Sequence, residues 1–435
     1  MGPEVVPVQC DEVLPGRADV VVAGGGIAGV CTALYLAERG VDVVLCEKGH
    51  IACEQSSRNW GWVRQMGRDP RELPLIVESL RLWRNMNSQV DGDTGFRQCG
   101  IAYLAETEAD LERHEEYLTH AQPFQIGSRR ISADEVAALF PTARRAFAGA
   151  LYTASDGRAE PQQAVPAMAR GARAAGAKLF TRCAVRGFET AAGAIHAVVT
   201  EKGVIRCDAL VVAGGAWSRL LMRRHGVAFP QIKVFSTAFR TQPLPNGPEV
   251  SASGAISGAG FAFRKRADGG YTITEGGVAV IPIVPDSFSL MLDFWPVMRA
   301  QYGQVRLRLG REFLDELLRA KRWPLDAPGP FEAVRVLDPV PRARTVTTGL
   351  ANIARVFPEF EGVKVAQSWA GAIDFTPDLV PVISAVGAVP GLHLIAGFSG
   401  HGFGIGPGAG YLMADIVMGR PPLVDAQPYC LTRFD

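Results

Sequence analysis

Residues 18–47 read ADVVVAGGGIAGVCTALYLAERGVDVVLCE, and this stretch decides the fold. Residues 19–23 and 41–46 are short, largely β-branched runs of the kind that a parallel sheet buries on both faces. Between them, residues 27–39 are rich in helix formers, carry an apolar residue every three or four positions, and are followed by Gly40. The stretch therefore predicts a strand, a helix and a second parallel strand.

The turn between the first strand and the helix fits the motif G-x-G-x-x-G. In this motif Gly24 permits the tight turn, Gly26 lets the backbone approach a pyrophosphate, and Gly29 lets the helix and strand pack closely. Glu47 ends the second strand where a carboxylate that binds ribose is expected, and an acid there argues against a 2′-phosphate. The unit predicts a bound dinucleotide, which at this point is either NAD or FAD.

The segment after the second strand, up to residue 67, has no clear strand or helix pattern and is rich in small, polar and aromatic residues. A loop that begins with Ser56 and Ser57 can offer hydroxyl and N–H groups to the second half of a long dinucleotide. Asn59, Trp60 and Gly61 would then lie beside a ring. These residues favour an extended cofactor.

A second glycine-rich segment, LHLIAGFSGHGFGIGPGAGYLMADIVMG, spans residues 392–419. We expect a buried strand at 392–396, then a loop of bare backbone, then a helix from about 408 to 419. Such a loop lets N–H groups approach an anion or an electron-rich ring. The alternative is an ordinary flexible loop in a chain that contains 48 glycines among 435 residues.

Composition limits the remaining classes of function. The chain is long enough for two or three domains. A formal net charge of +1, with 20% charged residues, indicates neither a nucleic-acid surface nor an acidic tail. The eight cysteines form no C-x-x-C pair, and the seven histidines show no metal-ligand spacing, so we expect reduced core thiols and no metal. No signal peptide or membrane span is visible, which predicts a soluble, cytoplasmic protein.

The chain resembles the superfamily of FAD-dependent amine oxidoreductases that includes D-amino-acid oxidase, glycine oxidase and sarcosine oxidase. The resemblance covers almost the full length after residue 17. It rests on the first unit with Glu47 and on four further motifs: SSRNWGWVRQ at 56–65, DALVVAGGAWS at 208–218, WAGAIDFTPDLVPVIS at 369–384 and GFSGHGFGIGPGAG at 397–410.

The resemblance implies that the cofactor is FAD and says which residues hold it. It places the first glycine turn at the adenosine diphosphate half, Val185 at the adenine through its backbone, and residues 397–404 at the flavin ring. The helix after that segment would point its N-terminus at flavin N1 and the C2 carbonyl, which favours negative charge there. The implied FAD-binding residues are Gly24, Gly26, Ile27, Ala28, Gly29, Glu47, Lys48, Ser56, Ser57, Arg58, Asn59, Trp60, Gly61, Val185, Ala213, Gly214, Trp217, Gly371, Gly397, Gly400, His401, Gly402, Phe403 and Gly404.

Two departures from the superfamily concern flavin attachment and substrate binding. The cysteine that carries flavin in some relatives falls on or near Gly371, and the loop 56–62 has no histidine, so we expect non-covalent FAD. The arginine that often precedes the T-P-D motif is also missing. A carboxylate clamp would come from Arg64 or Arg264 instead, with an ion pair at the surface or beside FAD as the alternative for Arg64.

Each of the remaining expected pocket residues has both a functional and a structural interpretation. Asp374 either caps a turn or contacts a substrate ammonium, and His401 either polarises the flavin or binds backbone. The aromatic residues either wall the pocket or pack in the core; they are Trp60, Trp62, Trp369 and Phe375. Lys265 is a weak candidate for a lysine over the flavin. The expected substrate-pocket residues are Arg64, Trp62, Arg264, Tyr271, Trp369, Asp374 and His401.

The fold class implied is α/β, with an α+β substrate part. A Rossmann-like FAD-binding domain of the glutathione-reductase type would carry an inserted substrate domain built on an antiparallel sheet, in keeping with the alternating run GYTITEGGVAVIP. The expected FAD-binding segments are 18–98, 148–225 and 365–435, and the expected substrate segments are 99–147 and 226–364.

The reaction implied is oxidation of a C–N bond in an amino acid or amine, by hydride transfer to flavin N5 from about 3–3.5 Å. The imine product then hydrolyses. No side-chain nucleophile is needed, because the cofactor performs the difficult step. The electron acceptor is either dioxygen or a partner.

Three alternatives remain open. The chain is a flavin subunit of a heteromeric amine or opine dehydrogenase, an FAD-holding subunit without turnover, or, less favoured, an RNA-modifying oxidoreductase. The expected assembly is either a homo-oligomer or a complex with a partner subunit. The RNA-modifying function would call for a basic flank that the sequence lacks.

Overall fold

The computed structural model describes residues 2–254, 260–276, 279–300 and 305–435, which form a mixed α/β fold. Its strands are β1 (Val20–Ala23), β2 (Val43–Cys46), β3 (Trp62–Val63), β4 (Arg97–Gln98), β5 (Ile101–Ala105), β6 (Ser128–Ser132), β7 (Gly149–Thr153), β8 (Gly157–Arg158), β9 (Lys178–Phe180), β10 (Val185–Ala191), β11 (Ala194–Thr200), β12 (Gly203–Arg206), β13 (Ala209–Val212), β14 (Ile232–Thr241), β15 (Ser251–Gly254), β16 (Gly260–Lys265), β17 (Tyr271–Gly276), β18 (Ala279–Ile283), β19 (Val305–Leu309), β20 (Val365–Phe375), β21 (Val382–Ala385) and β22 (Leu392–Ala396).

The same described residues form thirteen α-helices. They are α1 (Ile27–Ala37), α2 (Gln55–Arg58), α3 (Leu73–Gln89), α4 (Glu108–Ala121), α5 (Ala133–Leu139), α6 (Pro161–Ala174), α7 (Ser218–Arg224), α8 (Pro285–Ser289), α9 (Met291–Ala300), α10 (Arg311–Leu318), α11 (Pro330–Ala333), α12 (Ala343–Val356) and α13 (Gly402–Val417). No helix among them is long and apolar enough to cross a membrane.

The first glycine unit lies at the centre of a six-stranded sheet with the order β21-β22-β13-β1-β2-β9. β1 pairs in parallel with both β2 and β13, and only β21 runs antiparallel to its neighbour. The predicted strand, helix and strand are confirmed, although β2 begins at Val43 rather than at residue 41. Each of these strands is buried along its whole length, as expected of a sheet covered on both faces.

A second sheet of ten strands has the order β19-β18-β14-β17-β16-β15-β5-β7-β6, and β20 pairs with β14. Most of its neighbours are antiparallel, and β15–β5 and β18–β19 are parallel. One face carries an aromatic core that includes Phe239, Phe263 and Phe357. The run GYTITEGGVAVIP forms β17 and β18, while residues 277–278 within it lie outside the described residues.

The late glycine segment is helical from Gly402, so the expected helix start near residue 408 is wrong by about one and a half turns. Glycine lowers helix propensity, which is why the sequence suggested a loop. Here the missing side chains allow neighbouring helices to approach. A Cβ on Gly406 would lie 2.7 Å from Ile27, and one on Gly410 would lie 2.5 Å from Cys31, both in α1.

Two side chains of α3 support α13 where Pro407 interrupts its hydrogen bonds. Ser79 Oγ–H and Trp83 Nε1–H both donate to the carbonyl oxygen of Gly404, at 2.8 and 2.9 Å. The N–H of Gly408 in turn donates to Ser79 Oγ at 3.1 Å. Because these bonds replace part of the missing ladder, the helix continues through the proline.

Other local expectations have mixed outcomes. The early segment is not wholly irregular, since α2 and β3 lie within it. Ser132 and Glu135 match the sequence pattern of a capping box, and they form one at the start of α5 with both reciprocal hydrogen bonds present. The run GREFLDELLRAKR at 310–322 has a helical pattern, and residues 311–318 of it form α10.

We predict that Gly410→Ala destabilises the protein by about 1–3 kcal/mol, because its methyl group would overlap backbone and side-chain atoms of α1. Urea denaturation of the FAD-loaded protein measures this loss. Gly387→Ala is the control, since a Cβ there meets no atom within 4 Å. Equal stability of the two variants would contradict the close approach of α1 and α13.

Candidate active site

One cavity of about 460 Å³ is lined by residues of both large sheets and has the size of a ligand site. Gly24 and Gly26 line it from the early turn, and Gly400 and Gly402 line it from the late turn. The structure therefore brings together the two glycine segments, which lie nearly 380 positions apart in the sequence.

Glu47 organises the backbone at one end of this cavity. Its carboxylate is buried, and its two oxygens accept the N–H groups of Gly25 and Gly49, each at 2.7 Å. Burial raises the pKa of Glu47, and these hydrogen bonds oppose the rise. Val185, the first residue of β10, lines the same cavity.

Trp217 forms a wall of the cavity and is surrounded by charged groups. Its indole N–H donates to Glu54 at 3.0 Å, and the ammonium of Lys48 lies 4.4 Å from the centre of the ring. Lys48 also donates to Glu54 at 2.6 Å. These contacts fix the indole in place at the end of the cavity that Glu47 occupies.

The early turn consists of glycines because side chains at these positions would clash with neighbouring backbone atoms. Gly24 has a φ of +122°, and a Cβ there would lie 2.4 Å from the carbonyl oxygen of Ala213. A Cβ on Gly29 would lie 2.0 Å from the oxygen of Gly24. Gly26 is the N-cap of α1 and provides no side-chain cap, while Ser56 Oγ accepts the N–H of Ile27 at 2.9 Å. The helix N-terminus therefore faces the cavity as an anion site.

The late turn is held by Asp374 at the end of β20. Its carboxylate accepts the N–H of Gly397 at 2.7 Å, and its carbonyl oxygen accepts the N–H of Ser399 at 2.8 Å. Asp374 also lines the cavity, and burial raises its pKa to about 6. His401, the N-cap of α13, provides no side-chain cap, so the first N–H groups of α13 are left for a ligand.

A different part of the cavity wall combines aromatic rings with two guanidinium groups. Trp60 and Trp62 pack edge to face with their ring centres 5.6 Å apart, and Tyr103 lies 6.1 Å from Trp62. Arg64 and Arg68 both line the cavity beside them. This wall can hold an apolar group and a carboxylate at the same time.

Behind these arginines lies Glu72, a fully buried carboxylate. Its oxygens are 3.8 Å from Arg68 Nη1 and 3.5 Å from His401 Nδ1. Burial alone raises the pKa of Glu72, but the attraction of His401 and Arg68 outweighs it, and the pKa is lowered. Burial lowers the pKa of Arg68 to about 10.

Several expected pocket residues lie outside the cavity lining. Arg264 is fully buried and donates to both carboxylate oxygens of Glu160, at 2.8 and 3.0 Å. Tyr271 donates its hydroxyl to the carbonyl of Pro248, and Trp369 donates to the carbonyl of Arg58. Lys265 pairs with Glu249. The expected cofactor residues that do not line the cavity are Gly29, Ser57, Gly61, Gly397 and Gly404.

The other expected residues do line the cavity, and the structure adds some that sequence reasoning missed. Arg68 lies four positions after Arg64, and this spacing could have identified Arg68 as a pocket residue from the sequence. Tyr103, Ser236 and Ser253 come from strands of the second sheet and carried no local signal. Phe375 lines the cavity as well. Within the described part of the chain, no group of three or more potential metal ligands comes together.

Comparison with known proteins identifies the family. The family of FAD-dependent oxidoreductases named DAO matches residues 19–416. An L-amino acid deaminase from Proteus myxofaciens, solved in complex with anthranilate, is 33% identical with a TM-score of 0.95, over 99% of this chain and 97% of that one. Sarcosine oxidase subunit beta of Arthrobacter sp is 25% identical over 96% of this chain and 91% of its own length.

Mouse sarcosine dehydrogenase, from Mus musculus, is 25% identical over 100% of this chain, which spans only 43% of that longer protein. The chain belongs to the family of FAD-dependent oxidoreductases, and it is an FAD-dependent amine or amino-acid oxidoreductase. The bare-backbone turns and the buried Glu47 fit its FAD.

We predict that Gly26→Val yields colourless protein, because the branched side chain would occupy the space that the turn leaves for the pyrophosphate. The ratio of flavin absorbance to protein absorbance after purification measures the bound cofactor. Gly16→Val is the control, since a Cβ there meets no atom within 4 Å. A normally yellow Gly26→Val protein would refute this function of the turn.

We also predict that acid precipitation of the purified protein releases all of the flavin into the supernatant. The reason is that residues 369–374 read WAGAID and residues 56–62 read SSRNWGW, so that neither segment offers a cysteine or a histidine for attachment. Visible absorbance of the supernatant and of the redissolved pellet gives the distribution. Yellow colour that stays with the pellet would reveal a covalent bond.

Proposed function

We propose that this FAD-dependent oxidoreductase oxidises the C–N bond of an amino acid whose carboxylate is bound by Arg64. The observation that supports this most directly is the cavity wall formed by Arg64, Arg68, Trp62 and Tyr103. A guanidinium group matches a carboxylate in charge and geometry, and the rings provide apolar surface for the rest of the substrate. The similar deaminase was solved with anthranilate, an aromatic carboxylate that carries an amino group.

The cavity has one end suited to each half of FAD. We assign the end with Glu47 and Val185 to the adenosine, the turn at Gly26 to the pyrophosphate, and the turn at Gly400 to the flavin ring. Glu47 keeps lone pairs free for ribose hydroxyl groups after it accepts its two backbone N–H groups. The uncapped N-terminus of α13 favours negative charge on the group that it faces.

The domain division is part of the same proposal. The FAD-binding part, of the glutathione-reductase type, comprises 18–98, 148–225 and 365–435, and it contains every strand of the six-stranded sheet. The inserted substrate part comprises 99–147 and 226–364. Two strands of the ten-stranded sheet, β7 and β20, come from the FAD-binding ranges and join the parts.

When bound, FAD supplies the hydride acceptor at flavin N5. The residues of this chain orient the substrate and exclude water. Arg64 fixes the carboxylate, and the Trp60, Trp62 and Tyr103 rings exclude water from the wall beside it. With the carboxylate fixed in this way, the α-hydrogen can be held in one orientation. The imine product hydrolyses in water after release.

A second candidate function is that of a flavin subunit that passes electrons to a partner protein. It is favoured by the similarity to sarcosine oxidase subunit beta and by exposed apolar side chains on α8 and α9. Those side chains are Phe288, Met291, Leu292 and Trp295. Reoxidation of the reduced protein by dioxygen, compared with a dye acceptor, separates an oxidase from such a subunit.

We predict that Arg64→Ala weakens binding of anthranilate by about 10- to 100-fold, the loss expected for a charge-assisted hydrogen bond. Titration of the FAD-loaded protein with anthranilate, followed by the change in the flavin spectrum, gives the Kd. Arg84→Ala on the exposed side of α3 is the matched control.

The same two variants are then screened with amino acids, N-alkyl glycines and amines that lack a carboxylate. We expect Arg64→Ala to raise KM for the carboxylate substrates alone. An unchanged Kd and unchanged KM values in Arg64→Ala would contradict the assignment of Arg64. Anaerobic bleaching by amines without a carboxylate, and by no amino acid, would contradict the substrate class.

A further inference from the structure

Asp156 is a buried carboxylate behind the Arg64 segment, and the proposed reaction does not use it directly. It lies between β7 and β8 and is fully excluded from solvent. Asp156 Oδ1 accepts the backbone N–H of Gln65 at 2.8 Å, and Oδ2 accepts that of Met66 at 3.2 Å. The side-chain amide of Gln65 also donates to Oδ1, at 3.4 Å. The carboxylate thus binds the backbone that directly follows Arg64.

The same backbone orients both cavity arginines. Arg64 Nη1 donates to the carbonyl oxygen of Gly67 at 3.2 Å and also to that of Met66. Arg68 Nε donates to the carbonyl oxygen of Arg64 at 3.1 Å. A shift of the peptide units at 65 and 66 would therefore move the oxygen atoms that direct the Arg64 guanidinium group.

We propose that Asp156 is a positioning residue that holds Arg64 in the orientation needed to bind the substrate carboxylate. The proposal rests on the function assigned above, in which Arg64 binds that carboxylate. Two neighbouring peptide N–H groups need two acceptor atoms, and an ionised carboxylate supplies both. A neutral side chain of the same shape supplies only one.

The ionisation of Asp156 gives the arrangement a pH dependence. Burial raises the pKa of Asp156 to about 6, while the hydrogen bonds from Gln65 and Met66 oppose the rise. Protonation converts one oxygen into a donor, so that one of the two N–H groups loses its acceptor. Binding of a carboxylate should therefore weaken as the pH falls through about 6.

Other ionisable groups also lie close to this carboxylate. Burial raises the pKa of Tyr103, and it raises that of Tyr117 to about 12. His401 lines the same cavity and is paired with Glu72, so its contribution has to be separated by experiment. The charged and titratable groups that face Asp156 are Arg64, Arg68, Tyr103 and Tyr117.

The test compares wild-type protein with Asp156→Asn, a substitution that keeps the shape and one acceptor atom. Anthranilate is titrated into each FAD-loaded protein between about pH 5.5 and 8, a range in which carboxylic acids with ordinary pKa values are ionised. We expect the wild-type Kd to rise about tenfold from the upper to the lower pH, the effect of losing one hydrogen bond to a charged group. Asp156→Asn should show the weaker Kd throughout, without the step.

Asp415→Asn is the matched control for loss of a buried carboxylate. Asp415 pairs with Arg39 at 3.0 Å and accepts the N–H of Leu423 at 2.9 Å, and it does not line the cavity. We expect this variant to keep the wild-type step in Kd. Loss of the step in both Asp156→Asn and Asp415→Asn would indicate general destabilisation and would overturn the proposal.

The remaining outcomes separate this inference from the function on which it rests. If wild-type protein binds no carboxylate at any pH, the assigned function fails. If it binds with a step that persists in Asp156→Asn, the step belongs to another group such as His401, and the positioning role is overturned. Tighter binding at low pH would show that losing the negative charge of Asp156 favours carboxylate binding more than the loss of positioning opposes it. This result would also overturn the positioning role. If Asp156→Asn folds poorly, the wild-type titration still tests the proposal, because a wild-type Kd that does not rise at low pH would overturn it.

Discussion

The structure depends on one close contact between two parallel helices, α1 and α13. Gly406 and Gly410 place backbone where side chains would otherwise stand, so that α13 lies directly against Ile27 and Cys31. Because the helices run side by side in the same direction, both of their N-termini face one cavity. Two anion-favouring ends, formed by distant parts of the sequence, thereby face a single cavity, in which we propose that one elongated dinucleotide binds.

Buried carboxylates share a common task around this cavity. Glu47 accepts two backbone N–H groups at the early turn, Asp374 accepts one at the late turn, and Asp156 accepts two behind Arg64. In each case a buried carboxylate fixes a short stretch of backbone whose flanking residues line the cavity. Glu72 differs, because it is balanced by Arg68 and His401 instead. The burial cost of each charge is thus offset by local hydrogen bonds or ion pairs.

The early unit was predictable from sequence because its signals are local. β-branched runs, a helical period and a glycine turn all lie within about thirty residues, and the structure follows them closely. The late helix was misplaced because glycine and proline are poor helix formers in isolation, while here contacts with α1 and α3 stabilise them. Arg264 illustrates the other limit. Its sequence context offered no sign of Glu160, its partner 104 positions away, which keeps it out of the cavity lining.

We propose that both glycine turns hold one dinucleotide, each by a different half. Calorimetric titration of the apoprotein with FAD, ADP and FMN is the most direct test. We expect FAD to bind far more tightly than either fragment, and ADP to compete with FAD, because the end with Glu47 and the end with α13 each contribute to the binding free energy. FMN binding as tight as that of FAD, with no competition from ADP, would contradict it.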